Sequence, residues 1–183
     1  MEKERNYLTR QELNSLLAAI DHEILYPFIF TMIHTGMRVS ECLNLKLADV
    51  NLNERIIFIR KGKGGKHKEL PMSPQLVEQL TSYLTKVRPD TDSLLFFSLK
   101  RTGEVIIQYV NKILQVASQK AGINKHVTSH ILRHSFASFL VKQETHIAVI
   151  QKLLGHASLK TTSVYVHVPH KEMREAVERF DFG

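Results

Sequence analysis

The stretch HILRHSFAS, from His130 to Ser138, has the pattern of a packed helix and also contains two histidines and an arginine. Thr128 or Ser129, just before it, is suited to cap the helix, because a hydroxyl accepts hydrogen bonds from the first backbone N–H groups. At 100° per residue, one face takes up His130, Arg133, His134 and Ala137. The nearly opposite face is apolar and takes up Leu132, Phe136 and Phe139. We therefore expect the apolar face to anchor the helix and the basic face to point at a surface, a cleft or an anion.

The basic face fits more than one kind of site. His130 and Arg133 lie one turn apart near the helix start, where an anion is favoured and a planar guanidinium matches phosphate oxygens. A solvated polar face, or a histidine satisfied inside the core, explains the same residues without a ligand. Zinc is a further alternative, because His126, His130 and His134 recur every four residues. Against zinc, Arg133 on the same face would repel a cation, and no cysteine or acidic residue lies close in sequence.

The composition bounds the class of protein. A chain of 183 residues with 43% hydrophobic content supports one globular domain with a sizeable core. The excess of 25 Lys and Arg over 18 Asp and Glu gives a net charge of +7, which permits a polyanionic partner such as nucleic acid or an anionic membrane surface. Residues 60–68, RKGKGGKHK, contain six basic residues when His67 is counted.

The sequence shows no membrane span or secretory signal. Its longest apolar run, ILYPFIFTMI from Ile24, is too short to cross a bilayer and contains Pro27. The charged start, MEKERNYLTRQE, lacks the apolar segment of a signal peptide. A single cysteine, Cys42, excludes an internal disulfide and fits a reducing compartment. We therefore expect a soluble, cytoplasmic protein.

Local signals predict a mostly helical chain with a small antiparallel sheet. A capping box at Thr9 and Glu12 begins the first helix. A second helix runs from about Ile24 to Thr35 and ends before Gly36, and a short helix follows from about Val39. The strand-like runs IIFIR (56–60) and KELPM (68–72) flank a glycine-containing loop and predict a β-hairpin. Two further helices are predicted, one capped by Ser73 and Pro74 and one spanning about Ile106 to Ala121 before Gly122.

Two other segments carry candidate functional residues. In TGMRVSE, Arg38 follows the helix-ending Gly36, and Glu41 three residues later could orient its guanidinium. In LLGHASLKTTSVY, Gly155 and His156 follow an apolar helix and Tyr165 comes nine residues further on. Taken singly, such an arginine is usually a surface residue and such a tyrosine usually packs.

In their order and spacing, five segments resemble the catalytic domain of the tyrosine recombinases, the phage integrase family: TGMRVSE, GKGGKHKELP, HILRHSFAS, LLGHAS and TTSVYVHV. The resemblance covers about Leu8 to Phe180 and implies the α+β fold of that catalytic domain. It implies six catalytic positions: Arg38, Lys63, His130, Arg133, His156 and Tyr165. The two arginines match the phosphate clamp, the lysine the hairpin general acid, and the tyrosine the nucleophile. The histidines match the two active-site histidines, one assisting as acid or base and one bonding the phosphate.

Other residues receive supporting roles from the same resemblance. Glu41 matches an acidic position that supports the first arginine. Four more residues are predicted to contact DNA: Lys61, Lys66, Lys68 and His134. Lys66 also competes with Lys63 for the general-acid role, because a flexible loop leaves the register open.

The resemblance also sets expectations for domain organisation. Residues 1–183 form a single catalytic domain, residues 1–8 match an interdomain linker, and the N-terminal core-binding domain of the family is absent. Ser129 stands where many members have proline, a change that a helix N-cap accommodates. The tail at residues 170–183 forms a helix that packs either on its own core or on a neighbouring protomer.

The implied activity is site-specific DNA recombination, by integration or excision of a phage or mobile element. Tyrosine attack on a phosphodiester gives a 3′-phosphotyrosyl intermediate and a free 5′ hydroxyl, with no metal cofactor. The implied partner is double-stranded DNA, with a tetramer on DNA, a monomer without it and no membrane. The alternatives are relaxation by a type IB topoisomerase, a non-catalytic DNA-binding module and a zinc-dependent hydrolase.

Overall fold

The computed structural model describes residues 7–60, 68–99 and 105–155. In these ranges the chain forms, in order, α1 (Arg10–Ala18), α2 (Leu25–Thr35), α3 (Val39–Leu43), β1 (Val50–Asn51), β2 (Ile56–Ile59), β3 (Lys68–Pro71), α4 (Pro74–Ser82), α5 (Ile107–Lys120), α6 (Ser129–Lys142) and α7 (Ile147–Leu154). A 3-10 turn, Leu47–Asp49, precedes β1, and a π-helical turn, Tyr83–Val87, continues α4. The predicted class, mostly helical with a small antiparallel sheet, is confirmed.

The helix ends follow the predicted capping signals. Thr9 Oγ1 accepts a hydrogen bond from Glu12 N at 3.2 Å, and Glu12 Oε2 accepts one from Thr9 N at 2.7 Å, so the capping box of α1 is complete. Ser73 Oγ accepts from Leu76 N at 3.3 Å at the start of α4. Helix α2 ends at Gly36, whose φ of +63° is the left-handed conformation that glycine adopts readily.

The sheet is antiparallel, with the order β1-β2-β3. The predicted hairpin pairs Ile56 with Pro71 and Ile59 with Lys68, and the loop between its strands lies outside the described residues. Strand β1, which the sequence analysis did not predict, pairs with β2. Side chains alternate between the two faces of a strand, so Lys68 shares the buried face of β3 with Leu70.

The core is built around α2. Its residues Phe28 and Ile29 have no exposed surface and Met32 is 1% exposed, because α4 and α6 both pack on this helix. An aromatic group formed by Tyr83, Phe96 and Phe97 closes the core on one side, with ring centroids 5.0 to 5.7 Å apart. Among the described helices, none has the length and apolar character needed to cross a bilayer.

The N-terminal segment is bonded to residues far along the chain. Leu8 N donates to Ser135 Oγ on α6 at 2.8 Å, and both groups are buried. Lys125 Nζ donates to Tyr7 O at 3.1 Å and to Glu12 Oε2 at 2.8 Å. These bonds tie the segment before α1 to the middle of α6, and tie α1 to the connection between α5 and α6.

Candidate functional site

Arg133 lies at the junction of three predicted motif segments. Its Nη1 donates to Gly36 O at 2.6 Å, and its Nη2 donates to Leu154 O at 2.6 Å. Both acceptors lie at helix C-termini, where carbonyl groups lack an intrahelical partner and cations are favoured. The two Nη groups of one planar guanidinium therefore connect the end of α2 to the end of α7. The residue is buried, with 6% of its surface exposed.

A glycine at position 36 makes this junction possible. A Cβ atom there would lie 2.2 Å from Cδ1 of Phe136, well inside van der Waals contact. The absent side chain lets α6 approach the end of α2 until Arg133 reaches the Gly36 carbonyl. The stretch TGMR is thus tied to HILRH by packing as well as by a hydrogen bond.

Arg38 lies two residues beyond this junction and is held by Glu41. The carboxylate accepts from Arg38 N through Oε2 at 2.7 Å and from Arg38 Nη1 through Oε1 at 3.0 Å. The Arg38 side chain is 43% exposed and that of Glu41 is 12% exposed. One carboxylate thus fixes the backbone and the guanidinium together, and the rest of the guanidinium faces outward.

The two histidines of α6 differ in environment. His130 is exposed in the first turn, whereas His134 is half-buried. Burial lowers the pKa of His134, and the neighbouring charges of His130 and Arg133 lower it further. The neutral ring is therefore favoured at position 134, and its predicted contact with DNA stays a prediction.

The basic face predicted for α6 is only partly exposed. His130 is exposed as expected, but Arg133 and Ala137 are buried. The reason is that α7 packs on that side, where Ala137 contacts Ile150 and Leu154. The basic face of α6 therefore opens to solvent mainly at its first turn.

Lys68 lies inside the protein, against the end of α7. Its exposure is 8%, and its Cδ and Nζ lie 3.2 and 3.6 Å from where a Cβ atom on Gly155 would be. Gly155 has a φ of +65° and ends α7, so the ammonium lies where the helix dipole favours a positive charge. The predicted DNA contact of Lys68 stays a prediction, made for a residue on the buried face of β3.

Residues 6–172 match the model of the phage integrase family. The chain belongs to the phage integrase family. It is 38% identical over 175 residues to tyrosine recombinase XerA of Pyrococcus furiosus, across 94% of this chain and 60% of that relative. It is also 38% identical over 146 residues to tyrosine recombinase XerD of Mycobacterium tuberculosis, across 77% of this chain and 47% of the relative. The chain thus spans about half to three fifths of the length of these relatives.

Two solved structures resemble this member of the phage integrase family over nearly its whole length. The crystal structure of XerA recombinase has a TM-score of 0.82 and 36% identity, covering 96% of this chain and 64% of that one. The XerH site-specific recombinase was solved as a pre-cleavage complex with its difH substrate. It has a TM-score of 0.80 and 29% identity, covering 98% of this chain and 56% of that one. The predicted family and catalytic-domain fold are confirmed.

Several predicted site residues of this integrase-family chain lie outside the described ranges. They are Lys61, Lys63, Lys66, His156, Tyr165 and the tail at residues 170–183. Of the remaining predicted residues, the structure brings Arg38 and Glu41 into contact and joins their segment to Arg133 through Gly36. Across residues 7–60, 68–99 and 105–155, no three His, Cys, Asp or Glu side chains are grouped so as to hold a metal ion.

A cleft next to Glu41, lined by both polar and apolar residues, was not predicted from the sequence. The cleft has a volume of about 470 Å³, and its wall includes Ser40, Glu41, Lys46, Asp49 and Arg60. Arg60 Nε donates a hydrogen bond to Asp49 Oδ1, so the two residues form an ion pair. No local sequence pattern predicts this pair, because Asp49 lies in the 3-10 turn and Arg60 follows β2, eleven positions later.

Proposed function

We propose that this chain catalyses site-specific DNA recombination by tyrosine-mediated strand cleavage and religation. The observation that carries the proposal is the bridge made by Arg133, whose guanidinium bonds Gly36 O and Leu154 O. It gathers the segments TGMRVSE, HILRHSFAS and LLGHAS around one buried cation.

The chemistry requires a strongly cationic site. A tyrosine hydroxyl is a weak nucleophile at neutral pH, so its attack on a phosphodiester needs a proton acceptor and neutralisation of the charge that builds on the phosphoryl oxygens. Arg38, oriented by Glu41, offers its exposed guanidinium to those oxygens. Arg133 adds a second positive charge in a buried setting, where water screens it less.

The other catalytic roles come from the family motifs. Tyr165 attacks the phosphorus and forms a 3′-phosphotyrosyl bond as the bond to the 5′ oxygen breaks. Lys63 donates the proton to that departing oxygen, while His130 assists proton transfer and His156 hydrogen-bonds the phosphate. The 5′ hydroxyl of another strand reverses the reaction, so the DNA is resealed without ATP.

Double-stranded DNA is the proposed substrate. The matched XerH structures are described as pre-cleavage and post-cleavage complexes with difH substrates, which supports a DNA duplex as the ligand of this fold. We propose further that the chain is monomeric alone and forms a tetramer on DNA, with residues 170–183 docking on a neighbouring protomer. A cytoplasmic location belongs to the same proposal.

Covalent trapping tests the proposed reaction. The chain is incubated with EDTA and a pool of nicked DNA duplexes of varied sequence, and SDS-resistant protein–DNA adducts are isolated. We expect adducts that map to the Tyr165 peptide and are lost in Tyr165→Phe, whereas Tyr109→Phe on α5 keeps them. The same assay is repeated with the chain fused to the core-binding domain of a relative. Absence of adducts from both proteins would refute the proposal and favour a DNA-binding module.

Two further assays separate the details. If Lys63→Ala cleaves DNA normally while Lys66→Ala does not, the general acid is Lys66 rather than Lys63. Relaxation of supercoiled plasmid without exchange between paired sites would indicate topoisomerase activity instead of recombination.

A further inference from the structure

The ion pair between Asp49 and Arg60 is buried on one side and open on the other. The Asp49 side chain is 4% exposed, whereas that of Arg60 is 59% exposed. Asp49 Oδ1 accepts from Arg60 Nε, and Oδ2 accepts from Lys46 N at 3.1 Å. Both carboxylate oxygens are therefore engaged, and the arginine is fixed at its Nε.

Among the described residues, this attachment leaves the outer end of Arg60 without a further hydrogen bond. A guanidinium has five N–H donors, of which four belong to Nη1 and Nη2. Within residues 7–60, 68–99 and 105–155, the hydrogen bonds of the Arg60 side chain go to Asp49 from Nε alone. Such an outer edge, held in place from behind, has the planar geometry that binds two phosphate oxygens at once.

The cleft beside Arg60 is linked to the predicted catalytic arginine, Arg38, through Glu41. Glu41 lies in its wall and bonds Arg38, just as Asp49 in the same wall bonds Arg60. The exposed Lys46 lies in the same wall. In the wall, two cations (Lys46 and Arg60) balance two carboxylates (Glu41 and Asp49). Both carboxylates are already bonded to arginines, whereas Lys46 and the outer end of Arg60 are exposed, so the groups that the wall offers to a ligand are cationic.

We propose that this cleft binds the DNA backbone, with Arg60 and Lys46 as ligands of a phosphate other than the one that is cut. The inference rests on the proposed function, in which Arg38 holds the scissile phosphate. Phosphates follow one another along a strand at a rise of about 3.4 Å per nucleotide, so a strand bound at Arg38 carries further phosphates past the adjoining cleft. Arg60 and Lys46 fix the path of that strand and thereby position the scissile bond.

The salt dependence of DNA binding tests this assignment. Binding of the chain to a fluorescent duplex is measured over a series of salt concentrations, for the wild type, Arg60→Gln and Lys46→Gln. Each lost phosphate contact lowers the slope of log K against log salt concentration by about 0.9. We expect that reduction for each variant and no change for the control Lys120→Gln, an exposed lysine outside the cleft wall.

A double variant controls for destabilisation caused by the single substitution. Arg60→Gln leaves the buried Asp49 carboxylate without its cation, which destabilises a fold. The double variant Asp49→Asn with Arg60→Gln removes both charges and is expected to show the same reduced slope. If that double variant is folded and binds with the wild-type slope, the pair is structural only and the inference is overturned.

The trapping assay separates this inference from the proposed function. If the wild-type chain forms Tyr165 adducts and the folded Arg60 variants keep the full slope, the catalytic proposal is retained and the phosphate site in the cleft is refuted. A reduced slope in the Arg60 variants, with no adduct from any form of the chain, would support the phosphate site and refute the catalysis.

Discussion

Replacement of Gly36 by alanine tests the close approach of α2 and α6. The new Cβ atom would lie 2.2, 2.8 and 2.9 Å from three ring carbons of Phe136, so the ring must move or the helices must separate. The left-handed φ of +63° adds strain of about 1–2 kcal/mol for a residue with a Cβ atom. Overpacking of a core adds roughly 1–3 kcal/mol. We expect Gly36→Ala to lower the free energy of unfolding by about 2–5 kcal/mol.

Two other glycines provide matched controls for this measurement. Gly122 has a φ of +66° and nothing within 4 Å of an added Cβ atom, so Gly122→Ala should show the backbone strain alone, about 1–2 kcal/mol. In Gly155→Ala the new Cβ atom would lie 3.2 Å from the flexible Lys68 side chain, so the loss of unfolding free energy should be intermediate between those of Gly122→Ala and Gly36→Ala. Urea unfolding followed by circular dichroism gives the three free energies. If Gly36→Ala destabilises the chain no more than Gly122→Ala does, the packing argument is refuted.

The same substitution should also affect chemistry. A shift of the Gly36 carbonyl disturbs the 2.6 Å hydrogen bond from Arg133. We therefore expect Gly36→Ala to reduce the rate of covalent trapping at a temperature where it is still folded. Gly122→Ala should form adducts at the wild-type rate. Equal rates for the two variants would show that the junction at Gly36 does not affect catalysis.

Further predictions concern the site helix and the first helix cap. Arg133→Lys should abolish trapping and lower stability by about 1–3 kcal/mol in urea unfolding, because an ammonium does not reproduce the planar fork that reaches both carbonyls; retained trapping would contradict the bridge. Thr9→Ala should lower the free energy of unfolding by about 1 kcal/mol, since it removes the cap of α1, whereas Thr81→Ala on the exposed part of α4 should change it little. Because the pKa of His134 is lowered from 6.5, the unfolded chain binds more protons as the pH falls below about 6.5, and stability should decline there. Unfolding midpoints measured between pH 7 and pH 5 should fall less for His134→Gln, and identical declines would contradict the burial of that ring.

The elements that could be predicted from sequence are those whose signals are contiguous. The capping box of Thr9 and Glu12, the Ser73 cap and the terminal Gly36 are each contained in a few neighbouring residues, and each is confirmed. Strand β1 was missed because two residues carry no readable alternation, and its pairing depends on β2. The π-helical turn at Tyr83–Val87 was missed because its spacing of apolar residues resembles that of an ordinary helix.

In the candidate site, too, residue types could be predicted from local motifs, but side-chain positions could not. Arg133 could be picked out by its motif, yet its burial depends on carbonyls 97 and 21 residues away. The DNA contact of Lys68 stays a prediction, but its burial against Gly155 could not be predicted from its basic neighbours, because strand register decides it. The pairing of Asp49 with Arg60 likewise arises only when β2 folds back beside the 3-10 turn. Residue type is thus readable from a motif, whereas the direction of a side chain is decided by distant contacts.

The bonds of the N-terminal segment impose an order on folding during synthesis. Helix α1 has nine residues, too few to be stable alone in water. Its polar partners, Lys125 and Ser135, follow Tyr7 and Leu8 by 118 and 127 residues. At a synthesis rate of about 5–20 residues per second, these partners are made roughly 6–25 seconds after the helix they secure. Helix α1 is therefore fixed in place only after the chain has been made as far as Ser135.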